Sequence, residues 1–102
     1  MMGFVTVAQL DDLPPGTSKL VRIDKWEIAL FNIDGDVYAI EDSCPHAGAS
    51  LSTGRLRGRT IHCRAHGLHF DLATGCMQGV AGVHAWTFPV VIRDGAIEVE
   101  LP

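Results

Sequence analysis

Cys44-Pro45-His46-Ala47-Gly48, then Cys63-Arg64-Ala65-His66-Gly67, then Phe70-Asp71-Leu72-Ala73-Thr74-Gly75: these three runs together decide how the chain folds. The first two each bring one thiol and one imidazole to a short loop, and no other part of the chain concentrates such donors. Around them, residues 42–85 are rich in Gly, Ala, Ser, His and Cys and poor in long apolar runs. A segment of that composition has little core of its own, and a bound metal centre can supply the missing stabilisation.

Outward from this stretch the pattern turns to strands. Gly3 to Ala8 reads as a first strand, and Pro14, Pro15 and Gly16 make 11–18 a loop. Lys19 to Ile23 follows as a strand and turns at Asp24-Lys25. Trp26 to Ile33 and Asp36 to Ile40 are joined by Asp34-Gly35, a strong two-residue hairpin signal. Asp94-Gly95 repeats it and joins Thr87 to Ile92 with Ala96 to Leu101. Inside the middle stretch, short strands are expected at Thr60 to Cys63 and Leu68 to Leu72, with a turn at Thr74-Gly75. The expected fold is all-β and a single domain over 1–102. Residues 1–41 and 86–102 form an antiparallel β-sandwich or barrel base, and about 42–85 form a small inserted subdomain.

A chain of 102 residues, 47% apolar and 20% charged, suits one small domain with one core. No apolar run reaches the roughly 18 residues of a membrane helix. Met1-Met2-Gly3-Phe4 lacks the basic and apolar regions of a signal peptide, so a cytoplasmic protein with no membrane partner is expected. A net charge of −4 argues against nucleic acid as a partner. Three cysteines are an odd number, which disfavours a disulfide scaffold and favours metal binding for at least two of them. Arg55, Arg57, Arg59 and Arg64 lie in the central stretch while most carboxylates lie outside it. They read first as a solvated polar loop and second as a docking rim for an acidic partner.

Two thiolates and two imidazoles suit zinc or an iron–sulfur cluster. Zinc sites of that composition usually put the cysteines in one knuckle and the histidines in another. Here each loop carries one of each, as Cys-x-His and Cys-x-x-His. That arrangement suits a two-iron cluster with two cysteines on one iron and two histidines on the other.

The stretch resembles a Rieske centre, with Cys44-Pro45-His46 as the first box and Cys63-Arg64-Ala65-His66-Gly67 as the second. The likeness extends to Gly35-Asp36-Val37-Tyr38-Ala39-Ile40-Glu41-Asp42 before the boxes and Phe70-Asp71-Leu72-Ala73-Thr74-Gly75 after them. It covers almost the whole chain, so the chain resembles a free-standing Rieske-type ferredoxin. The resemblance implies one 2Fe–2S cluster, with Cys44 and Cys63 on an inner iron and His46 and His66 on an outer iron near the surface. It implies a one-electron carrier, expected to be monomeric in isolation. Such a carrier is fed by a flavoprotein ferredoxin reductase and delivers to a terminal oxygenase. The oxygenase is either an aromatic ring-hydroxylating dioxygenase or a di-iron aromatic monooxygenase. It also leaves two other readings in view, a small subunit of an assimilatory nitrite reductase and a zinc-stabilised structural module.

Departures from the family pattern refine this. Respiratory Rieske proteins carry a disulfide between the two loops, and the matching positions here are Ala49 and Ala65. Those proteins also place a serine and a tyrosine beside the cluster, where this chain has Leu68 and Phe70. Hydrogen bonds to sulfur stabilise the reduced state, so their loss implies a potential toward the low end of the Rieske range. Arg64 replaces the proline usual in dioxygenase ferredoxins and resembles the ferredoxins of di-iron monooxygenases.

The remaining donors read more plainly. His62 should point to the face opposite Cys63, and His69 suits a surface or hydrogen-bonding role. His84 reads as a loop residue and Cys76 as an unpaired thiol. Trp26, Tyr38, Trp86 and Phe88 read as core aromatics. Pro45, Ala47, Gly48 and Leu68, with 79–82, would rim the cluster as a small apolar contact surface. No mononuclear iron triad, nucleophile elbow or phosphate loop is present, so no catalytic residues are expected.

Overall fold

Strand alternation and three tight turns set the architecture. The computed structural model describes residues 3–42, 50–63, 69–76 and 85–101. Its strands are β1 (Gly3–Gln9), β2 (Ser18–Ile23), β3 (Trp26–Ile33), β4 (Asp36–Glu41), β5 (Arg55–Arg57), β6 (Thr60–His62), β7 (His69–Asp71), β8 (Thr87–Phe88), β9 (Val90–Arg93) and β10 (Ala96–Leu101). Short 3-10 turns occupy Leu10–Asp12 and Leu51–Thr53. Among the described residues no helix is long and apolar enough to cross a membrane.

The strands form three antiparallel sheets, ordered β1-β10-β9, β2-β3-β4-β8 and β5-β6-β7. Both Asp-Gly hairpins are present. Asp34 and Gly35 have φ of 53° and 98°, and Asp94 and Gly95 have 51° and 78°. These left-handed pairs match the twist of the strands they join. Asn32 braces the first turn: its Oδ1 accepts from the Gly35 N–H at 2.8 Å while its Nδ2 donates to the Leu13 carbonyl at 2.7 Å.

β3 is buried on both faces, which is why Ile28-Ala29-Leu30-Phe31 is a continuous apolar run. Ile28 and Leu30 join Leu13, Ala39, Phe88, Ile97 and Val99 in one core, toward the β1-β10-β9 sheet. Ala29 and Phe31 turn the other way and join Ile40, Leu51, Ile61, Phe70 and Leu72 in a second core, toward the small sheet. Each fully buried aliphatic or aromatic side chain contributes about 1.5–3 kcal/mol. The middle stretch was expected to have little core of its own. It does contribute a core, and the reverse face of the central sheet completes it.

Three further expectations are corrected. Thr87 to Ile92 is not one strand: Pro89 cannot donate to a ladder, so β8 pairs with β4 while β9 pairs with β10 in a different sheet. Arg55 to Arg57 is not a loop but the edge strand of the small sheet, paired with Thr60–His62 around Gly58 at φ 57°. Trp86 is not a core aromatic, being 50% exposed, whereas Phe88 is buried and meets Trp26 edge-on at 5.5 Å.

Candidate metal centre

The small sheet sorts its side chains by alternation. Leu56, Ile61 and Phe70 form one cross-strand row on the core face. Arg55, His62 and His69 form the adjacent row on the outer face, and Arg57, Thr60 and Asp71 the next one out. Cys63 follows β6 on the Ile61 side and is 2% exposed. The imidazoles of His62 and His69 stack at 3.7 Å between centroids and 17° between planes. Partial burial, followed by the neighbouring His69, Arg57 and Arg55, holds the His62 imidazole below its ordinary pKa. His62 therefore faces away from Cys63, as the alternation required.

Of the four expected ligands, Cys63 is placed in this way. Cys44, His46 and His66 lie outside the described residues, as do Pro45, Ala47, Gly48, Ala49, Arg64, Ala65, Leu68, 79–82 and His84. Among the described residues no three His, Cys, Asp or Glu side chains gather as a metal site. The chemistry of Cys63 suits a soft metal: a thiol on a buried residue, in the core that also holds Phe70, Leu72 and Ala85.

What the described residues do show is how the donor-bearing segments are rooted. Residues 43–49 are spanned by Asp42, which is 6% exposed. Its carboxylate accepts from Ser50 Oγ at 2.5 Å and from the Ser52 N–H at 2.6 Å. Residues 64–68 are spanned by the His62–His69 pair at the end of β6 and β7. Residues 77–84 are spanned by the Ala85 N–H donating to the Gly75 carbonyl at 2.7 Å. Leu51, Cys63 and Ala85, next to these three closures, share one buried core. The Asp42 closure has no short-range sequence signature, because Asp42 and Ser50-x-Ser52 read as separate turn residues.

Against known proteins, residues 3–89 match the family model for the Rieske 2Fe-2S domain. The chain belongs to the Rieske family. The Rieske family holds a 2Fe–2S centre, so this chain carries one such cluster, and the zinc reading gives way. The chain is similar to the ferredoxin component of the naphthalene 1,2-dioxygenase/salicylate 5-hydroxylase systems of Ralstonia sp., at 40% identity over 96% of this chain and 95% of that one. It is similar to a chain in a complex of reduced oxygenase and oxidized ferredoxin in carbazole 1,9a-dioxygenase, with TM-score 0.85, 34% identity and coverage of 94% and 91%. It is also similar to a putative NADH-dependent nitrite reductase small subunit from Mycobacterium tuberculosis, with TM-score 0.90, 26% identity and coverage of 100% and 97%. This Rieske protein is an electron-transfer component and not itself a catalyst.

Proposed function

We propose that this Rieske protein is the ferredoxin of an aromatic ring-hydroxylating dioxygenase system, carrying electrons one at a time to the terminal oxygenase. The observation that carries the reading is the 40% identity, end to end, with a ferredoxin component of that kind. Cys44 and Cys63 would hold one iron, and His46 and His66 the other. Bound there, the cluster supplies reversible one-electron chemistry at a potential raised by its two imidazole ligands. The chain's own residues would hold and shield it. Cys63 offers a thiol from the buried core, Phe70 and Leu72 keep water from that side, and Asp42 fixes the ends of the segment bearing Cys44 and His46.

A flavoprotein ferredoxin reductase in the cytoplasm is the proposed electron source. The lack of a hydroxyl at Phe70 and at Leu68 supports a midpoint below about +100 mV. A purified brown protein with a Rieske-type paramagnetic resonance signal after reduction, passing electrons to a dioxygenase, is the expected result. His66→Cys keeps a cluster and lowers its midpoint; an unchanged spectrum would show that His66 is no ligand. The nitrite reductase likeness favours a second reading as the small subunit of such an enzyme. Co-purification with a large sirohaem subunit would select it.

A further inference from the structure

We infer that the outer face of the small sheet, where Arg55 and Arg57 flank the stacked His62 and His69, docks an acidic surface of the protein that exchanges electrons with this chain. The inference rests on the carrier reading above and adds the chemistry of the partner.

The charge of the chain is segregated to an unusual degree. Residues 43–70 hold four arginines and no carboxylate, a stretch of formal charge +4. All twelve carboxylates and the other four cations lie outside it, so the remainder carries −8. The register then turns a stretch of sequence into a face. Arg55 lies opposite His62, and His62 opposite His69, while Arg57 lies opposite Thr60 on the same side. Arg55, Arg57 and Arg59 are exposed.

Ion pairing separates these cations further. Arg22 pairs with Glu27, Arg93 with Glu98, and Arg59 with Asp71 at 3.7 Å, Asp71 being the one carboxylate on this face. Among the described residues Arg55 and Arg57 have no carboxylate partner. Two like charges two residues apart on one strand repel each other, and among the described residues no carboxylate pairs with either. An acidic partner surface would supply it and would steer the encounter. The face is also close to the expected redox site, since His62 is bonded directly to the buried Cys63.

The test uses the loaded, reduced protein and two small oxidants of opposite charge, ferricyanide and hexaamminecobalt(III). Each takes one electron, giving ferrocyanide or cobalt(II). With a positive face beside the expected redox site, ferricyanide oxidation slows as salt rises, although the whole chain carries −4. The double variant Arg55→Glu/Arg57→Glu should slow ferricyanide about tenfold at low salt and speed the cobalt reagent. Arg55→Gln/Arg57→Gln gives a smaller shift of the same sign if the first variant fails to hold iron. Lys19→Glu/Arg93→Glu changes the net charge equally on the other two sheets and should leave both rates within about twofold. Poly-L-glutamate, as an acidic polypeptide surface, should protect the wild type from ferricyanide and not the Arg55/Arg57 variants. Acceleration of ferricyanide oxidation by salt, equal effects of the two double charge reversals, or stronger protection by duplex DNA than by polyglutamate would overturn the inference. Absence of the Rieske resonance signal in the wild type would instead sink the carrier reading itself.

Discussion

At Asp42 a carboxylate at 6% exposure accepts two hydrogen bonds from the far side of a seven-residue segment, Ser50 Oγ and the Ser52 N–H. Hydrogen bonds to a charged group contribute about 1.5–3 kcal/mol each, and Ser52 Oγ lies 2.9 Å from Ser50 Oγ as an alternative partner. Asp42→Ala should therefore destabilise the loaded protein by roughly 2–4 kcal/mol in chemical denaturation and shorten iron retention under a chelator. Asp42→Asn, which keeps one acceptor, should fall between. Retention equal to wild type would show that Asp42 does not anchor the segment. Phe70 carries a second residue-scale expectation. Its ring is fully buried in the core that also holds Cys63 and has no hydroxyl, so Phe70→Tyr adds a donor and should raise the midpoint. An unmoved midpoint in a potentiometric titration would mean that the new hydroxyl does not reach sulfur. The four proposed ligands stand out in the sequence because Cys and His at fixed spacing have little other use together. Asp42 was not, because its partners are eight and ten residues away.

Among the elements, the legible ones were long or sharply punctuated. β3 and β4 announced themselves by a continuous apolar run and an Asp-Gly turn. β5 was hidden because Arg-Leu-Arg has one apolar residue, and a three-residue edge strand shows too little alternation to count. Apolar β-formers on both sides of Pro89 mask the break in the sequence pattern; its missing N–H decides where the chain changes sheets. The turn after β7 shows the same economy of means. Gly75 has φ 78°, its N–H donates to the Asp71 carbonyl at 2.7 Å, and a Cβ there would collide with the Ala85 carbonyl oxygen. Gly75→Ala is expected to cost at least about 2 kcal/mol and to loosen the closure of 77–84. Thermal denaturation would check the first part and protease sensitivity the second.

For the molecule as a whole, the decisive feature is a central sheet buried on both sides. It makes the small sheet dependent on residues far in sequence from the proposed ligands. Phe31 belongs to β3 yet packs with Ile61, Cys63 and Phe70. Phe31→Ala should cost about 3–5 kcal/mol and accelerate iron loss nearly as much as Phe70→Ala does. If only Phe70→Ala speeds iron loss, the two halves are mechanically independent. Removal of iron should leave β3 and β4 amides near Leu30 and Ala39 the slowest to exchange, while β5 to β7 exchange faster. This division was not legible, because one-dimensional composition cannot show that a strand serves two cores at once.

The first and last strands lie side by side, with Gly3 opposite Leu101. Their sheet covers one face of the central layer, and the small sheet covers the other. A tether attached near Leu101 would therefore leave from the side away from Cys63. Fixed to an electrode through that strand, the protein would turn its Cys63 side, the proposed redox end, toward the solution, where a second protein could still reach it.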